Sequence, residues 1–113
     1  MLYNYAQKIY DIMSEMKTLH NFTDSWYVDR IIIERKSHEP RVKLSLRFTN
    51  DSEFKEMVLI HPDSEEIFAE LLNAERVSIS EETDSQREFG TILIECFGES
   101  YFKCWCDSIQ TNG

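Results

Sequence analysis

Three cysteines carry the most reactive side chains in this chain of 113 residues: Cys96, Cys104 and Cys106. In an extended strand Cys104 and Cys106 point the same way, so a thiolate pair could hold a metal or exchange with a disulfide. A structural zinc site wants four ligands, commonly with two residues between paired cysteines. Only Cys96 and the scattered His20, His38 and His61 could complete such a set. The cysteines therefore read as small apolar core residues, and neither metal nor cofactor is expected. Their odd number argues against a secreted disulfide framework and for a reducing, cytoplasmic setting. No HExxH motif and no Gly-rich phosphate loop is present, with only three glycines available.

Carboxylates are the other group able to do chemistry. Glu81, Glu82, Asp84 and Glu88 outnumber Arg87 in one polar stretch, with Glu75 a strand-length away. Such a cluster can serve acid–base chemistry, hold a divalent cation, bind a protein or simply be solvated. The calcium-loop pattern is missing, and a protein-binding patch is the reading carried forward. Tyr101 and Trp105 are the candidate aromatic anchors beside it, because rings of this kind are favoured at interface centres. The net charge is −9, with a pI near 4.7. A chain so acidic repels nucleic acid and anionic membrane surfaces. No apolar run is long enough to span a bilayer, and the first residues do not read as a signal peptide.

These side chains need elements to place them. Leu2, Tyr5, Ile9, Ile12, Met16 and Leu19 recur at helical spacing, which predicts an amphipathic N-terminal helix. The period then changes to two. Strands are expected over 26–36, 41–49, 53–61, 75–81, 91–97 and 101–109. Turns at 37–40, 50–52 and 98–100 and a polar loop at 82–88 separate them. Between the third and fourth strands Ile67, Phe68, Leu71 and Leu72 form one face of a short second helix, with Asp63 and Glu66 spaced as a capping box. The expected fold is a single α+β domain over 1–113. Its mainly antiparallel sheet of about six strands is curved, or curled toward a half-barrel, with the first helix across one face. The expected core includes Ile9, Met13, Val42, Leu44, Leu46, Phe48, Ile92, Ile94, Phe102 and Cys104.

Three segments carry a family resemblance. Phe22-Thr23-Asp24-Ser25-Trp26-Tyr27-Val28 is similar to an aromatic-His-Asp-Ser segment that opens the first strand of some small proteins. The rhythm of 74–79, 90–94 and Phe102-Lys103-Cys104-Trp105-Cys106-Asp107 is similar as well. The layout resembles small bacterial immunity proteins that neutralise polymorphic toxins. Thr23 stands where that segment has His, and no functional residue carries over.

Composition and resemblance together give the expectation of a non-enzymatic protein-binding module, an immunity protein that neutralises a basic toxin through an acidic surface. Glu81, Glu82, Asp84, Glu88, Tyr101 and Trp105 are its expected contact residues. The rivals are a small enzyme with a carboxylate or histidine in the concave side of the sheet, and a structural subunit such as a homodimer joined through an exposed strand edge.

Overall fold

Alternation writes the clearest strand. Leu44, Leu46 and Phe48 are buried, while Lys43, Ser45, Arg47 and Thr49 lie on the wetter side. The computed structural model describes residues 15–35, 41–83 and 90–112. Within them lie eight strands: β1 Glu15–Phe22, β2 Tyr27–Glu34, β3 Lys43–Thr49, β4 Phe54–Ile60, β5 Arg76–Thr83, β6 Ile92–Phe97, β7 Tyr101–Cys106 and β8 Ser108–Asn112. A single helix, α1, spans Ile67–Asn73.

The strands form two antiparallel four-stranded sheets. Sheet I has the order β1-β5-β6-β7 and sheet II the order β2-β3-β4-β8. Their apolar faces supply one core. Sheet I contributes Phe22, Val77, Ile79, Ile92, Ile94, Cys96, Cys104 and Cys106. Sheet II contributes Val28, Leu44, Leu46, Phe48, Met57 and Leu59. Phe22 and Phe48 join the two layers, with stacked rings 3.9 Å apart, and Trp26 meets Phe22 edge-on.

The chain passes between the sheets at two tight places. Residues 23–26 form a turn in which the Trp26 N–H donates to the Thr23 carbonyl at 2.9 Å. This is the segment that carries part of the family resemblance, and it moves the chain from β1 to β2. The second passage is Asp107 alone, between β7 and β8. Its N–H donates to the Ile60 carbonyl, and its carboxylate accepts from the Gly90 N–H at 3.1 Å and faces Arg41. Helix α1 is too short to stand by itself. It buries Ile67 and Leu71 and packs against β2 and β7, an edge strand of each sheet.

Several expectations are corrected. The single α+β sheet becomes, among the described residues, a mostly β architecture of two antiparallel sheets with one short helix, and it is not a closed barrel. Residues 15–19, expected to end the first helix, begin β1, where the backbone of β5 offers partners from Glu15↔Thr83 to Phe22↔Val77. A bulge between Thr18 and His20 breaks strict alternation there and hides the period of two. The rest of that helix, with Ile9 and Met13, lies outside the described residues, as do the expected turn at 37–40 and the loop residues 84–88. The strand expected over 101–109 is two strands in different sheets. Asp63 does not cap α1. Its N–H donates to the Trp105 carbonyl and its carboxylate accepts from the Trp105 N–H, so it extends the edge of β7.

The remaining core expectations fare well. Leu44, Leu46, Phe48, Ile92, Ile94 and Cys104 are buried, while Val42 and Phe102 are half-buried. Among the described residues no helix is long and apolar enough to cross a membrane.

Candidate functional site

The three cysteines sit on the inner face of sheet I, and all are free. Burial pushes the Cys96 thiol up to about 12, helped by the nearby Glu70 and by Cys104. A hydrogen bond with Cys104, then burial, pushes Cys106 up as well. A thiol acts as nucleophile or metal ligand only as thiolate, so these surroundings suit packing. Among the described residues no three His, Cys, Asp or Glu side chains are placed to hold a metal ion. His20 stacks on Phe22. Burial, then the charge of Lys55, lowers its pKa.

The expected contact residues separate on the strand register. Glu82 lies near the end of β5, paired with Met16 of β1. Trp105 lies close by, since it pairs with Leu93 and Leu93 with Ser80. Glu81 alternates with Ile79 and Val77, so its half-buried side chain turns toward the core side at the sheet end. Tyr101 stands at the opposite end of sheet I, where Phe97 pairs with both Tyr101 and Arg76. Six residue steps along β5 separate Glu82 from the level of Tyr101, roughly 20 Å. Asp84 and Glu88 lie outside the described residues.

Tyr101 has the more structured surroundings. Its ring tilts against Phe97 at 5.3 Å, and the Arg76 guanidinium covers the Phe97 ring at 4.4 Å. The Tyr101 hydroxyl donates to the Glu95 carboxylate at 2.5 Å. Burial, then this bond, holds its pKa near 12. The side chain remains 53% exposed, so the ring is held in place and still presented to solvent.

Beside Tyr101 opens a pocket of about 410 Å³ between the end of α1 and the β6–β7 hairpin. Glu70, Glu75 and Glu99 are its charged lining, and the buried Cys96 lies beneath. No lysine or arginine lines it. Sequence reasoning missed this grouping because Glu70 and Glu99 are far apart in the chain. Only the docking of α1 against β7 brings them together.

The pocket belongs to a wider asymmetry. Residues 27–60 hold seven of the twelve Lys and Arg and six of the twenty-one Asp and Glu, a net +1 against −10 for the remainder. Residues 61–75, which include α1, carry five acids and no Lys or Arg. Searches of family models, curated proteins and solved structures find no match to this chain.

Proposed function

We propose that this chain is a protein-binding module that meets a basic partner through the face built from α1, Glu75 and the β6–β7 hairpin. The observation that carries the reading is the partition of charge. The acidic excess falls outside residues 27–60, and three of its carboxylates, Glu70, Glu75 and Glu99, meet at one pocket with no lysine or arginine in its lining. A field so localised speeds encounter with a basic surface and orients it. Tyr101, held by Glu95 beside that pocket, supplies a ring that can be desolvated at little entropic cost. In the setting that the sequence resemblance implies, the partner is a basic toxin and this chain its immunity protein.

The test uses the product of the neighbouring gene as binding partner. Reversing Glu75 and Glu99 to Lys should slow association and flatten its dependence on salt, which screens exposed charges over about 8–10 Å. The same reversal of Asp51 and Glu53, on the β3–β4 turn of sheet II, should leave both unchanged. Tyr101→Ala should instead raise the dissociation rate. Equal salt dependence for both pairs of reversals would remove the acidic face from the interaction.

A further inference from the structure

Four strands end the two sheets, and they are protected unequally. Asp63 and the following helix cover part of the β7 edge, and the same helix also packs against β2, where Arg30, Ile32, Ile33 and Glu34 nevertheless stay exposed. β8 is only five residues long. β1 is interrupted by its bulge. β2 is eight residues long, and past its bulge at Asp29 it runs regularly along β3 from Arg30 to Glu34. Among the described residues no strand pairs with its other edge. Ile32 is 42% and Ile33 51% exposed on it. An edge of this kind normally carries a lysine, a proline or an inward charge to discourage pairing. Here the middle of the strand is Ile31-Ile32-Ile33.

The charges flanking that triplet are opposite in sign: Arg30 before it and Glu34 after it. An antiparallel strand related to β2 by a two-fold axis through Ile32 sets Arg30 of each copy opposite Glu34 of the other. Ile32 then faces Ile32, and Ile31 faces Ile33. The outward row keeps Arg30, Ile32 and Glu34 on one side, as the pleat requires. Moving the axis by one residue, to Ile31 or Ile33, loses both ion pairs and sets each charged residue beside an apolar or like-charged neighbour. Arg30 already reaches Glu56 of its own sheet at 3.5 Å with its side chain 47% exposed, so its guanidinium fork has donors left for a second carboxylate. The near-neutral balance of 27–60 also makes this the part of the molecule where two copies repel least.

We infer that the occupant of the β2 edge is a second copy of this chain, paired antiparallel about Ile32 to form one continuous eight-stranded sheet. This surface is separate from the acidic face and does not depend on the partner proposed for that face.

Sedimentation velocity of the full chain over a range of concentrations tests it. The protein should dimerise reversibly. Arg30→Glu alone and Glu34→Arg alone should each weaken the dimer, by about ten-fold for each of the two symmetry-related pairs reversed. An equimolar mixture of those two variants should associate again, because each supplies the charge that the other lacks. Ile32→Cys should form a disulfide-linked dimer under mild oxidation, since the residue meets its own copy on the axis, while the buried native thiols do not compete. Circular dichroism should show the fold unchanged in all three, because the altered side chains are exposed. A protein that stays monomeric at millimolar concentration overturns the inference. So does a dimer indifferent to both charge reversals, which would place the interface elsewhere.

Discussion

The two sheets meet at one core but fill it with different chemistry. Apart from Phe22, sheet I turns in Val77, Ile79, Ile92, Ile94 and three cysteines, which are β-branched or small. Apart from Val28, sheet II turns in Leu44, Leu46, Phe48, Met57 and Leu59, which are longer. Short side chains on one layer leave room for long ones on the other, which is how two sheets reach close packing without voids. The outer faces differ too. Sheet II carries paired charges, with Arg47 bound to both oxygens of Asp29 at 2.8 and 2.9 Å. Sheet I carries Ser78, Glu95, Lys103 and the exposed Tyr101. Large anchors on one layer thus depend on a yielding, thiol-lined surface opposite, and each layer can be tested by damaging its own device.

The largest loss should come from the long residues of sheet II. Phe48→Ala removes the ring stacked on Phe22 and should cost about 3–5 kcal/mol in urea unfolding. A loss below about 1 kcal/mol would mean that Phe22 and Trp26 collapse into the gap.

A comparable effect should appear on sheet I through pH. The Cys96 thiol lies above its ordinary value of 9.0, at about 12. Below pH 9 both folded and unfolded chains keep the proton, and the stabilisation is complete. Between pH 9 and 12 the unfolded chain ionises while the folded one does not, so stability falls, by up to about 4 kcal/mol from this thiol alone. Unfolding monitored across that window should decline less steeply in Cys96→Ala than in the parent chain.

Smaller again is Cys106→Ser, which places a hydroxyl where only a weakly polar sulfur was and should cost about 1–3 kcal/mol. A neutral result would show that a neighbouring carbonyl accepts the hydroxyl. The smallest effect should be that of Asp29→Asn on sheet II. Arg47 holds the Asp29 carboxylate below its ordinary pKa, first through the hydrogen bond and also through its charge. That contribution is present at neutral pH and is lost as pH falls through the carboxylate range. The pair is exposed, so the unfolding midpoint should barely move.

The sheet contrast also explains what could be read from the residues alone. β3 and β6 were legible because each has one wet and one dry face. β1 was not. Met16 and Leu19 continue a helical spacing, and the bulge between Thr18 and His20 removes the alternation that would have opposed it. The division of the last expected strand leaves a trace in the sequence. Phe102, Cys104 and Cys106 occupy even positions, whereas the next inward residue, Ile109, is odd. That slip of phase marks Asp107. Of the site, Tyr101 could be named from its type and place on the hairpin. The pocket could not, because nothing local says that α1 docks beside residues 98–100.

Asp107 has a further consequence for how the molecule comes apart. A single residue joins the last strand of sheet I to the last strand of sheet II, with its backbone tied to Ile60 and its carboxylate to Gly90. Neither sheet can peel away without dragging that joint, and β8 reaches its partner β4 across about fifty residues of intervening chain. The two layers should therefore open as one cooperative unit. In native-state hydrogen exchange, the slowest amides of β3 and of β6 should share one opening free energy rather than fall into two classes.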